Sequence, residues 1–221
     1  MKSLQNIICN RKFRYSFLLL ILLFLYIFVC AFSYVNAVSS DIANSVFRLH
    51  VIANSDEKED QELKLKVRDN VLSYMNKICE NTTSKEDAIL IANKHINEFK
   101  EIALNTIHEN GYDYSVTIRI GNFSFPTKTY GDISLPSGYY DALRIEIGEA
   151  KGQNWWCVMF PPLCFVDVSS GIVPDESKET MKNDLSDEEF SLISDNEDSN
   201  IKFKFKLIEW FQNVKVMTAK N

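Results

Sequence analysis

Residues 46–52, VFRLHVI, alternate along the chain: Phe47, Leu49 and Val51 fall on one face, and Val46, Arg48, His50 and Ile52 on the other. A two-residue period rich in β-branched side chains predicts a strand. Asn54, Ser55 and Asp56 follow with cap chemistry, and Asp56 and Glu59 have the spacing of a capping box. The period then changes. Leu63, Val67, Val71, Tyr74 and Ile78 recur at three- and four-residue steps, predicting an amphipathic helix that ends near Ile78. Its opposite face carries Asp60, Lys64 and Arg68 at four-residue steps. A second helix is predicted from a Thr83–Glu86 box to a stop at Gly111, with Ala88, Ala92, His95, Ile96, Phe99, Ala103 and Ile107 along one side. His95 reads as a partly buried structural histidine.

Beyond Gly111 the two-residue period returns. YDYSVTIRI and NFSFPTKTYGD read as two strands joined by a short Gly121–Asn122 turn. YYDALRIEIG predicts a third strand, and NWWCVMFPPLCFVDV a fourth that breaks at Pro161–Pro162. Residues 174–199 are dominated by Asp and Glu, with Lys178 and Lys182 as the only bases. Ser186 and Glu189 mark a capping box, so this block reads as two short helices followed by a linker, SDNEDSN. IKFKFKLIEWFQNV closes the pattern as a strand and a short aromatic helix. The elements predict an α+β fold: a mostly antiparallel sheet with two amphipathic helices packed on one face. They do not give the strand order.

Residues 17–32, FLLLILLFLYIFVCAF, are apolar on every side and follow a basic segment. This is the pattern of a secretory signal or of a membrane anchor, for which about 20 apolar residues are needed. Val35 and Ala37 offer small-residue cleavage positions, and both readings stay open. Either one leaves the basic end in the cytoplasm and everything after residue 38 outside. The expected organisation is therefore a signal or anchor at 1–37 and a single exported domain at 44–216, with the acidic helical insertion at 174–199.

Charge narrows the partners. The whole chain is −6, yet its first 37 residues hold Lys2, Arg11, Lys12 and Arg14 and no acid, so the remainder is more acidic still. An acidic body repels nucleic-acid phosphate. No phosphate-binding glycine loop is present, so neither a nucleotide nor another cofactor or small-molecule substrate is called for. Cys157 and Cys164 bracket a Pro-Pro corner, which makes a disulfide one reading in an oxidising space and two buried thiols the other. His50, His95 and His108 lack the short spacing of metal ligands.

Three constellations resemble catalytic ones: Ser55 with His50 and Asp56, Cys157 or Cys164 with His50, and Asp132 with Glu146. Capping, a disulfide and strand-edge positions account for each without chemistry, and no nucleophile elbow surrounds Ser55. The chain therefore does not read as an enzyme. Trp155, Trp156 and the tyrosines of PTKTYGDISLPSGYY are residue types that anchor protein interfaces.

The strings FRLHVIANSDEKEDQELKLKVRD, FPTKTYGDISLPSGYYDALRIEIGEAKGQNWWCVMFPPLCFVD and KFKFKLIEWFQ occur in this order over residues 44–212 and resemble the stage II sporulation protein R family. The acidic block is the part least like it. That resemblance implies a protein made in the forespore of an endospore-forming bacterium and exported toward the mother cell. There it would activate a membrane-embedded aspartic protease that processes the precursor of the early mother-cell sigma factor. It implies no catalysis by the chain itself. The expected docking surface comprises Arg48, His50, Asn54 and Asp56 at the strand–helix junction and Asp60, Lys64 and Arg68 on the helix. A second patch contains Tyr130, Asp132, Trp155 and Trp156. The competing readings are a cell-envelope hydrolase and a cell-wall-binding module.

Overall fold

A computed structural model of the chain describes residues 11–164 and 173–194. The chain divides into two units, Met1–Ser39 and Ser40–Asn221. Most of helix α1 (Arg11–Asn44) belongs to the first. From Phe13 onward α1 is long and apolar enough to cross a membrane, with a mean hydropathy of 2.8, and its large apolar side chains are exposed along most of its length.

The second unit is built on a four-stranded sheet of β1 (Phe47–Ile52), β2 (Val116–Phe125), β5 (Gly138–Ile147) and β6 (Asn154–Phe160), in the order β2-β5-β1-β6. β1 runs parallel to β5 and antiparallel to β6, while β2 is antiparallel to β5. The sheet is thus mixed rather than mostly antiparallel. Alternation reports which side chains share a face, not which way a strand runs. β1 is joined to the rest of the sheet through helices, and that long connection lets it return parallel to β5. A separate pair, β3 (Lys128–Tyr130) and β4 (Ile133–Leu135), forms a small second sheet.

Helix α2 (Lys58–Ile78) follows β1 and buries Leu63, Val67 and Val71 of the expected stripe. Its N-cap is Glu57, which makes no side-chain cap bond, so the Asp56–Glu59 box is not formed. The second expected helix is two: α3 (Lys85–Lys94), capped by Ser84 rather than Thr83, and α4 (Ile96–Glu109). The break is at His95, whose Nδ1 lies 2.9 Å from Tyr74 Oη and 3.2 Å from Glu98 Oε1. The Gly121–Asn122 turn is also absent. β2 runs straight through it, pairing Gly121 with Ala142 and Asn122 with Asp141.

Phe47, Leu49 and Val51 of β1 pack with Leu143, Ile145 and Ile147 of β5 against Leu63, Val67, Phe99, Ala103 and Ile107 of the helices. This is the main core, held by removal of apolar surface from water at about 25 cal/mol per Å². The opposite sheet face is partly covered by the β3–β4 pair. That pair is buttressed by the acidic helices α5 (Asp175–Asp184) and α6 (Asp187–Ile193), whose Met181 and Ile193 are buried along with Ile133 and Leu135. The capping box of Ser186 and Glu189 is present, and Ser194 bridges to Ile133. The expected extension of the fourth strand past Cys164, the SDNEDSN linker beyond Ser194, and the closing strand and helix lie outside the described residues.

Candidate docking groove

Because β1 has a strand on each side and is covered on both faces, all six of its residues are buried. Arg48 is the largest fully buried side chain among the described residues. Its guanidinium carbon sits 4.1 Å from the Phe125 ring centroid and 4.6 Å from that of Tyr140. Nη2 donates to Tyr130 Oη at 2.7 Å, whereas Nε and Nη1 have no hydrogen-bond partner. Tyr130 Oη in turn donates to the Trp156 carbonyl at 3.2 Å. Burial pushes the Tyr140 phenol far above its ordinary value, despite the opposing Arg48 charge, so it stays neutral and donates to the Pro136 carbonyl at 2.7 Å.

Two residues on, His50 stacks on Trp156 with ring centroids 5.6 Å apart, and its Nε2 lies 2.7 Å from Asn154 Oδ1. Burial lowers its pKa, and the hydrogen bond to Asn154 offsets this only in part, while Arg144 and Arg48 lower it further. The folded protein therefore holds His50 neutral, whereas the unfolded chain takes up a proton near the ordinary value of 6.5. Its contribution to stability is complete above that pH and declines as the pH falls from 6.5 toward the lowered folded value. Urea midpoints at about pH 7.5 and about pH 5.5, on either side of that ordinary value, are expected to fall further apart in the wild type than in His50→Gln. Equal spacing in the two proteins would show that His50 does not titrate in this way.

The junction residues make a separate hydrogen-bonded cluster. Asp60 Oδ2 accepts from Asn54 Nδ2 at 2.8 Å and from Ser55 Oγ at 2.6 Å. Burial raises the Asp60 carboxyl, but these hydrogen bonds outweigh it and hold the pKa below the ordinary range. Asn54 Oδ1 accepts from the Glu149 amide at 3.0 Å, and the Gly152 amide donates to the Ala53 carbonyl at 3.0 Å. Asn54 and Asp60 thus clamp the end of β1 to the β5–β6 turn. Gly152 is required there, because a Cβ would collide with the Ser55 carbonyl. Asp56 is exposed beside this clamp.

Lys64 is buried and donates to the Gln153 carbonyl at 3.1 Å; burial, with Arg68 nearby, lowers its pKa. Arg68 lies 4.2 Å from the Trp155 ring. Asp132 pairs with Lys178 Nζ at 2.7 Å and accepts from the Val173 amide at 3.1 Å, tying the β3–β4 turn to the acidic helices.

The structure joins the two expected patches. Arg48 meets Tyr130, His50 meets Trp156, and Arg68 meets Trp155. Between β3 and β6 runs a groove of about 470 Å³ lined by Lys128–Gly131, Asn154–Cys157, Leu163 and Cys164. Cys157 and Cys164 form a disulfide across its base, with Cα atoms 5.2 Å apart. Lys128 sits 5.0 Å from the Trp156 ring. Asn54, Asp56, Asp60 and Asp132 do not line the groove, and Arg48 and His50 lie behind its wall. Lys128, Asn154, Phe125 and Tyr140 are contributors that the pattern did not single out. Asn154 carried a signal, standing two positions before Trp156 on an alternating strand, but the aromatic sandwich around Arg48 depends on strand order.

The catalytic alternatives are not assembled. Ser55 Oγ is bonded to Asp60, the two cysteines are joined, and Glu146 pairs with Arg119 and Arg144 at 2.7 and 2.8 Å. Among the described residues no group of three His, Cys, Asp or Glu side chains is placed to hold a metal.

A family model described as stage II sporulation protein R (spore_II_R) matches residues 43–170, a span that contains β1 to β6 and the disulfide and stops before the acidic helices. The chain is 36% identical over 185 residues to the stage II sporulation protein R of Bacillus subtilis (strain 168), an overlap of 78% of this chain and 83% of that one. No solved structure matches.

Proposed function

This chain belongs to the stage II sporulation protein R family, and from that premise we propose how it acts. Its role is a regulatory one in sporulation, linked to processing of the sigma-E precursor, and it has no catalysis of its own. It works with a membrane-associated processing protease. The finer reading is that the body is exported from the forespore, either freed by cleavage or held by α1. It then docks on the outer face of a membrane-embedded aspartic protease and favours that protease's active state.

An activator of this kind needs only a difference in affinity between the inactive and active states. Moving a protease from about 1% to about 99% active takes about 5.5 kcal/mol of differential binding, which a few aromatic and arginine anchors supply. The observation that carries the reading is the groove at β6. It sets Tyr130 and the Trp156 indole in its lining, with Arg48 and His50 behind them, while the Trp155 indole leaves the same edge strand on the opposite face against Arg68.

The test is co-expression of this chain, the protease and the sigma precursor in a non-sporulating host. Maturation of the precursor is expected only when all three are present and this chain carries its N-terminal segment. Maturation without this chain, or none with all three expressed, would overturn the reading.

A further inference from the structure

We propose that the groove between β3 and β6 receives an extended peptide segment of the partner protease that carries a carboxylate, with Lys128 as the residue that meets the charge. This rests on the activator reading and adds the chemistry of the contact. Among the described residues Lys128 is the only charged one in the lining, and no acid accompanies it there, although the chain as a whole is −6. A cationic groove on an acidic protein repels cationic segments and favours a negative occupant.

A second observation points the same way. Behind the groove wall lies a second cation, Arg48, whose Nε and Nη1 are buried among aromatic rings without a hydrogen-bond partner. No acid among the described residues pairs with Arg48, and Tyr130, its hydrogen-bond partner, is itself a groove residue. The guanidinium is thus one side chain away from the groove. In a region of low dielectric it adds to the attraction that Lys128 exerts on an anion. The occupant that answers these two cations is an anionic one, and a carboxylate side chain on an extended peptide supplies that charge. The partly exposed Trp156 indole gives such a peptide apolar contact area. The chain's own residues 201–207 suit the groove poorly, because Lys202, Lys204 and Lys206 would set like charges against Lys128.

The experiment uses the full chain in detergent micelles and overlapping synthetic peptides covering the outward-facing loops of the protease, with binding followed by fluorescence anisotropy. At least one Asp- or Glu-containing peptide is expected to bind. Replacing that acid by its amide, or introducing Lys128→Glu, is expected to weaken binding by on the order of tenfold. A peptide carrying Lys in place of the acid should recover binding to Lys128→Glu. Thermal unfolding of the variant checks that the fold is retained. Equal binding of acid and amide peptides overturns the proposal. So does tighter binding after Asp195, Glu197 and Asp198 are neutralised, which would assign the groove to the chain's own acidic run. Concentration-dependent self-association blocked by Lys128→Glu would assign it to a second copy and likewise overturn it. Co-expression separates this from the activator reading. Full precursor cleavage with Lys128→Glu sinks the groove assignment alone, whereas absent cleavage with the wild type faults the activator reading itself.

Discussion

Arg48→Ala is expected to destabilise the folded body by about 3 kcal/mol, within the range for emptying a large buried site, whereas Arg48→Met is expected to change it by less than about 1.5 kcal/mol in either direction. The difference follows from what surrounds the side chain. Moving a charged group out of water costs several kcal/mol even after the protein relaxes. Two aromatic faces at 4.1 and 4.6 Å return up to about 2 kcal/mol each, and the bond to Tyr130 returns about 1.5 kcal/mol. These gains and costs nearly cancel, so the charge itself contributes little to folding. The volume between Phe125 and Tyr140 does contribute. Methionine fills most of it with a flexible, polarisable chain; alanine leaves a cavity, and in both variants Tyr130 keeps its bond to the Trp156 carbonyl.

The measurement is urea unfolding of wild type and both variants, with midpoints compared at constant m. Equal stability of the Ala and Met variants would refute the view that shape rather than charge is what Arg48 supplies to the fold. The function of the charge is then tested separately. Arg48→Met keeps the groove wall in place and removes the cation behind it, so precursor cleavage is expected to fall even though the body remains folded.

The split of β1 into two faces, the stripe of α2 and the box at Ser186 were all legible, because each depends on residues a few positions apart. What was not legible depends on partners far along the chain. Arg48 alternates with Leu49 in a way that suits a half-exposed strand, yet β1 lies between β5 and β6 with both faces covered. Its burial is decided by sheet order, which local pattern does not encode. Gly121–Asn122 has turn chemistry, but β5 offers a full-length partner and the ladder overrides it. Asn54 and Ser55 have cap chemistry too, and it is redirected to Asp60 and the β5–β6 turn once β5 brings Glu149 within reach. The groove lining was legible only in part for the same reason. Trp155 and Trp156 were recognisable by type, whereas Lys128 and Asn154 acquire meaning only when β3 is set opposite β6.

Reducing the Cys157–Cys164 disulfide is expected to lower stability by about 2 kcal/mol. The bridge closes a short loop, with a sequence separation of 7, and short loops limit how much freedom the link removes from the unfolded chain. Pro161 and Pro162 lie within that loop and already restrict it, which places the effect below that of an equally short flexible loop. Comparing the same protein under oxidising and reducing conditions is the cleaner measurement, because replacing Cys157 would also open a cavity at a buried site. Both cysteines line the groove between β3 and β6, so the link does more than add stability. It ties Cys164 to β6 beside the Leu163 amide's bond to the Val158 carbonyl, and without it the Leu163–Cys164 side of the groove is held less firmly. Reduction is therefore expected to weaken peptide binding in the groove by a larger factor than Arg68→Ala does, because that substitution leaves the β6 wall in place. A urea midpoint and an affinity both indifferent to reductant would show that the groove does not depend on the bridge. The dependence itself would suit a protein that acts outside the cytoplasm, where the bond persists, because the docking surface would be completed only after export.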